Sequence, residues 1–237
     1  MRLYGKRPVA ERLRAAPATM QHIYLEEQGD TSEIAALAHA AGRRVTILAH
    51  TAFAKRVGAV HAQGVLAEVE PFQYADLDTL LERTPPLTVL FLDRVTDPQN
   101  VGNILRTMAC LGGVGLVLPK HDSAEINETV LRVACGGENY VPVARVTNLV
   151  QATERAKRAR YWIAGAVSDG GTPLAEVQWP APLGLVVGAE GSGIRPGLAK
   201  HLELTVTLPL RGAALSLNVA TAAALVVYEV QRARDHA

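Results

Sequence analysis

Cysteine is almost missing from this 237-residue chain, which carries only Cys110 and Cys135. Two thiols are too few for a disulfide framework, and neither has a His or a second Cys at metal-ligand spacing. Both lie among apolar and small residues and are expected to be small buried side chains. The seven histidines are scattered. His121, His201 and His236 read as solvated loop or helix-end residues, so no metal is assigned. No apolar run approaches the length of a membrane span, and residues 1–7 lack the apolar core of a signal peptide. A soluble, cytoplasmic chain is expected. Strong net charge is missing as well. A formal charge of +1 excludes a uniformly basic nucleic-acid binder and confines any RNA contact to a local patch.

What is present describes a globular protein. Hydrophobic residues make up 49% and charged residues 20%, and the length leaves room for two domains. A basic cluster opens the chain, where Arg2, Lys6, Arg7, Arg12 and Arg14 are opposed only by Glu11. Arg43, Arg44, Lys55 and Arg56 add to it. Composition supports a solvated charged face and an RNA-binding face equally.

The stretch from residue 183 to 229 organises the rest. Residues 183–187 form an apolar strand that runs into a glycine loop, Gly188-Ala189-Glu190-Gly191-Ser192-Gly193. A second strand at 202–210 alternates apolar and polar residues, and Ser216 is placed to cap a helix running to about Arg234. Both loops lie at the carboxyl ends of strands, where open α/β sheets bind ligands. Glu190 would repel a phosphate, so the loop suits a neutral or cationic cofactor. A tight turn with no ligand is the competing reading of the same glycines.

Residues 1–72 read as a small α/β unit, with helices at 9–14, 32–41 (Ser32 as cap) and 52–57 and strands at 22–25, 45–48 and 64–69. Residues 73–86 form a linker with a short helix and a Pro85-Pro86 stop. Residues 87–237 alternate strands and helices. Apolar runs at 87–92 and 114–118 are the mark of parallel strands buried on both faces, and so of a doubly wound α/β sheet. Between them, 93–102 reads as a loop with Pro98 as its turn and 103–110 as a helix. Residues 140–143 read as a short strand.

Three stretches in order resemble the motifs of the SpoU branch of the SPOUT methyltransferases: Asn100 with Arg106, then Gly188 to Gly193 around Glu190, then Leu208-Pro209-Leu210 with Ser216-Leu217-Asn218. The front unit resembles that family's ribosomal-protein-like RNA-binding domain, although Ala62 interrupts its usual His-Gln-Gly run between His61 and Gln63. Both of these are therefore read as structural. Residues 133–149 look most like the subgroup acting on a guanosine in the peptidyl-transferase region of large-subunit ribosomal RNA. The resemblance implies an S-adenosylmethionine-dependent ribose 2′-O-methyltransferase with a deep trefoil knot near its carboxyl end, working as a homodimer on ribosomal RNA. By motif position it assigns Arg106, Asn100, Glu190, Ser216 and Asn218 to catalysis and Gly188, Leu208 and Leu217 to the cofactor. It implies that Asn100 orients Arg106 or the ribose. The chemistry needs no metal. Rival readings are a transfer-RNA methyltransferase and a silent RNA-binding or ribosome-assembly factor. A nicotinamide-dependent oxidoreductase would need an early glycine fingerprint followed by an acid, and none is evident.

Overall fold

The computed structural model describes residues 1–213 and 215–235, so the expectation for His236 lies outside the described residues. The first part of the chain runs β1 (Arg2–Tyr4), α1 (Lys6–Ala15), β2 (Met20–Glu26), α2 (Ser32–Ala40), β3 (Val45–Leu48), α3 (His50–Val57) and β4 (Val65–Val69). Its four-stranded sheet has the order β1-β4-β2-β3, with only β2 and β3 parallel. Strand β1 is too short to show alternation in sequence. It is held by antiparallel pairing to β4 and by the Met1 amine donating to Val69 O at 2.7 Å. Thr31, not Ser32, occupies the cap position of α2, and no side chain bonds there. Gln63 Oε1 accepts from Lys6 N at 3.3 Å, tying the loop before β4 to the start of α1.

A short helix, α4 (Leu77–Leu81), is capped by Asp76, whose Oδ1 accepts from the Asp78 and Thr79 amides. The remaining elements are β5 (Thr88–Asp93), α5 (Pro98–Leu111), β6 (Val114–Pro119), α6 (Glu128–Ala134), β7 (Val143–Val146), α7 (Leu149–Arg158), β8 (Trp162–Val167), β9 (Thr172–Pro173), β10 (Leu183–Gly188), α8 (Pro196–Ala199), β11 (Leu204–Thr207) and α9 (Val219–Asp235). They build a seven-stranded sheet in the order β7-β6-β5-β10-β8-β11-β9, in which every pairing is parallel. β5 and β6 are buried along their whole length, as their unbroken apolar runs require. This is the α/β architecture expected, with β10 inserted beside β5 so that Gly188 lies next to Asp93. The chain order reverses at β5, with β6 and β7 on one side and β10, β8, β11 and β9 on the other, and a crevice opens at the carboxyl ends of β8, β10 and β11.

Helix α5 starts five residues earlier than its pattern suggested. Pro98, read as a turn, takes the first helical position, and Asp97 Oδ1 accepts from Gln99 N at 2.8 Å to cap it. Asn100 consequently sits in the first helical turn and not in a loop. The strand expected at 140–143 is displaced to Val143–Val146, because Gly136 in the left-handed region opens a tight 3-10 turn at Gly137–Asn139. The cysteines are corrected as well: Cys110 is exposed and Cys135 half-buried. Cys110 falls off the inward stripe of α5 made by Val101, Ile104, Leu105 and Met108, and Cys135 is the left-handed residue that ends α6. His201 bonds Glu154 at 2.8 Å. No helix of the described residues is long and apolar enough to cross a membrane.

Candidate active site

Three carboxyl-terminal strand ends meet at one crevice. The loop after β10 folds back so tightly that a Cβ on Gly188 would lie 2.1 Å from the carbonyl carbon of Gly193, a contact only glycine permits. The end of β5 fixes the far side of that loop. Asp93, fully buried, accepts from Arg195 N at 2.8 Å and from Arg195 Nε at 2.6 Å. Arg94 Nη2 donates to Gly193 O at 3.1 Å. Sequence analysis gave no role to Asp93, Arg94 or Arg195. The signal was there: two charged residues directly follow an apolar strand, where only a partner makes burial of a carboxylate affordable.

Glu190 projects from this loop into a hydrogen-bonded set. Its Oε1 accepts from Asn218 Nδ2 at 2.7 Å, from Asn100 Nδ2 at 3.1 Å and from Val219 N at 3.2 Å. Asn218 Nδ2 also donates to Asn100 Oδ1 at 2.8 Å. Three residues assigned from three separate stretches are thus joined directly. Asn218, not Ser216, caps α9: its Oδ1 accepts from Ala220 N at 2.9 Å and from Thr221 N at 3.4 Å. Ser216 lies two residues too early to reach the first turn. It lines the crevice instead.

That crevice encloses about 530 Å³, ordinary for a small-molecule site. Gly188, Glu190, Leu208, Ser216 and Leu217 all line it, so every residue assigned to the cofactor is gathered there. Leu210, Leu215 and Val226 add apolar wall, and residues 166–168 at the end of β8 form another side that the sequence analysis left without a role. A mostly apolar cleft with backbone polar groups and a single carboxylate fits a nucleoside bearing a cationic sulfur. It does not fit an oligophosphate. Among the described residues no group of three or more His, Cys, Asp or Glu is placed to hold a metal ion.

Arg106 stands apart. It follows Asn100 by six residues on α5 and leaves the helix on another side, where it is exposed and lines a second cavity beside α1. Its Nη1 approaches Cys135 Sγ at 3.8 Å. Among the described residues it makes no hydrogen bond to Asn100, Glu190 or Asn218, so the expected orientation of Arg106 by Asn100 is absent within one chain.

A parallel sheet with a glycine loop, an Asn–Glu–Asn set and a distant arginine defines a class, and comparison with known proteins agrees. The chain belongs to the SpoU rRNA methylase family, whose model matches residues 87–228. A second model, RNA 2′-O ribose methyltransferase substrate binding, matches residues 2–75. Among curated relatives, the 23S rRNA (guanosine-2′-O-)-methyltransferase RlmB of Pseudomonas syringae is 36% identical over 242 residues, covering 99% of this chain and 96% of that protein. An uncharacterized tRNA/rRNA methyltransferase of Synechocystis is 40% identical over 177 residues, which are 73% of this chain and 46% of that longer protein. Among solved structures, the SpoU methyltransferase AviRb of Streptomyces viridochromogenes in complex with AdoMet superposes with a TM-score of 0.82 at 25% identity, covering 99% of this chain and 90% of that one.

Proposed function

We propose that this chain transfers a methyl group from S-adenosylmethionine to the ribose 2′-oxygen of a guanosine in the peptidyl-transferase region of 23S ribosomal RNA, acting as a cytoplasmic homodimer. Residues 1–72 serve RNA binding, 73–86 link, and 87–237 carry the catalytic unit. The observation that carries this reading is the convergence of Gly188, Glu190, Leu208, Ser216 and Leu217 on one cleft, with Asn100 and Asn218 bonded to Glu190 at its edge. Near-complete coverage of the guanosine-specific relative supports the RNA substrate and the nucleotide.

When bound, the cofactor supplies a methyl group activated by a cationic sulfur. The chain's own task is to hold the hydroxyl in line and to raise its nucleophilicity. Leu208, Leu215 and Leu217 wall the cleft and exclude water. Glu190, fixed through one oxygen, offers the cationic centre a carboxylate whose position is set before binding. Asn218 holds the third motif against the second, and Ser216 presents a hydroxyl to the substrate. Arg106 clamps the target phosphate bidentately and stabilises the developing alkoxide while the hydroxyl proton passes to solvent; a guanidinium stays protonated and is no base. Separation of Arg106 from the cleft within one chain supports a dimer in which each cleft receives Arg106 from the partner. The exposed Leu225 and Tyr228 of α9 offer that partner an apolar surface.

The test is transfer of tritium from labelled S-adenosylmethionine to unmodified 23S ribosomal RNA and, in parallel, to transfer RNA. Label in ribosomal RNA alone is expected. Label confined to transfer RNA, or none in either with the cofactor bound, contradicts the reading.

A further inference from the structure

The first unit does not hang free of the second. Arg12 of α1 and Glu138 of the 3-10 turn form an ion pair at 3.2 Å with 7% and 5% exposure. Tyr140 Oη donates to Glu11 Oε2 at 2.7 Å, and a Cβ on Gly136 would come within 2.3 Å of Glu11 Cβ. These contacts fix a groove of about 490 Å³, with α1 as one wall and α5 with residues 134–140 as the other.

Charge in this groove is unbalanced. The two carboxylates that line it, Glu11 and Glu33, are both bonded by Arg14, at 2.6 and 2.8 Å. Lys6 is turned to Asp30 at 2.9 Å. Arg7 and Arg106, one from each wall, have no ion-pair partner among the described residues. Tyr140 is 54% exposed at the rim while its hydroxyl is held by Glu11. Two free guanidinium groups beside a fixed, exposed aromatic ring make a surface for an anion joined to a flat ring.

We propose that this groove binds the single RNA strand at the target nucleotide, with Arg7 sharing the phosphate held by Arg106 and Tyr140 stacking a neighbouring base. The inference rests on the methyltransferase reading and deepens it: α1 of the front unit touches substrate at the reacting end, and Arg7 and Tyr140 become substrate-binding residues. The groove has room for about one nucleotide and none for a duplex. Single-stranded RNA, whose bases can be splayed onto aromatic rings, is the partner that fits.

The experiment measures anisotropy of a fluorescein-labelled single-stranded oligoribonucleotide carrying the target guanosine, titrated with full-length protein across a salt series. Arg7→Ala is expected to weaken binding about tenfold and to flatten the salt dependence by roughly one phosphate contact. Tyr140→Leu is expected to weaken it on the order of tenfold with an unchanged salt slope, and Tyr140→Phe, which keeps the ring but loses its bond to Glu11, to weaken it clearly less than Tyr140→Leu. Arg83→Ala, which removes an exposed cation outside the groove, controls for overall charge. Affinity for S-adenosylmethionine, unaltered in all four, reports an intact fold. Variants at Arg7 and Tyr140 that bind RNA no worse than Arg83→Ala overturn the proposal. So does a change of oligomeric state in Arg7→Ala, which would make the groove an interface between copies. Methyl transfer by the wild type is read alongside: its absence contradicts the proposed function, whereas intact transfer with unaffected groove variants contradicts the groove alone.

Discussion

Asn218 donates to Glu190 Oε1 and to Asn100 Oδ1 from one amide nitrogen, at 2.7 and 2.8 Å, while its oxygen caps α9. One side chain thus closes the site and starts the last helix. The two tasks use different ends of the amide, so substitution separates them. Asn218→Asp keeps the capping oxygen and sets a second carboxylate against Glu190. It is expected to lower kcat/KM roughly a hundredfold, because the donor to Glu190 is gone, and to lower Tm through repulsion between the two carboxylates although the cap is kept. Asn218→Ala is expected to lose about 1 kcal/mol of stability with the cap and to lose activity too. Calorimetry beside methyl-transfer kinetics reads both. Equal activity of the aspartate variant and wild type would contradict the donor role.

Gly188→Ala tests the loop. The added methyl would meet the Gly193 carbonyl carbon at 2.1 Å, and Gly193 and Ile194 backbone atoms rather than a movable side chain stand in its way. Affinity for S-adenosylmethionine, measured by calorimetric titration, is expected to fall at least about tenfold, because the loop must open to admit the methyl.

Much of this was legible in the sequence because it depends on local pattern. Buried parallel strands announce themselves as unbroken apolar runs, and β5, β6 and β10 were found that way. Resemblance to the family's motifs, not local pattern, assigned Asn100, Glu190 and Asn218 to one site, and the structure bonds them together. What escaped depends on neighbours distant in sequence. Strand β1 exists because β4 pairs with it. The cap of α9 falls on Asn218 and not on Ser216 because the helix starts only at Val219. The ion pair between Arg12 and Glu138 joins residues 126 positions apart, and nothing around either one foretells it.

Shared sites give a mixing test. Arg106→Ala and Glu190→Ala are each expected to be inactive alone. If each cleft takes Arg106 from the partner, mixing and reassorting the two leaves roughly a quarter of the sites with every group in place, and activity returns to about that level. A mixture as inactive as its components would assign Arg106 and Glu190 to the same chain.

Docking of the front unit is expected to show in stability. Arg12→Met strands a buried carboxylate and should lower Tm by roughly 10 °C, whereas Arg12→Met with Glu138→Leu should recover most of the loss. Burial pushes the Glu138 carboxyl above its ordinary value of 4.5, with Arg12 acting against the rise. A carboxyl with a raised folded-state pKa ionises first in the unfolded chain. Its contribution to stability therefore falls as pH climbs from about 4.5 through the raised value, and stays flat above it. Melting curves of wild type and Glu138→Gln across that range check the sign, since the glutamine variant is expected to lack this component of the slope.

Whether the methyl group lands on a ribose decides the central claim. Unmodified 23S ribosomal RNA is methylated by the protein in vitro, hydrolysed with alkali and analysed by mass spectrometry. A single alkali-resistant dinucleotide with 2′-O-methylguanosine on its 5′ side, from the peptidyl-transferase region and missing with Arg106→Ala, is the expected result. Methyl groups found on a base, or a product that alkali cleaves completely, would contradict it.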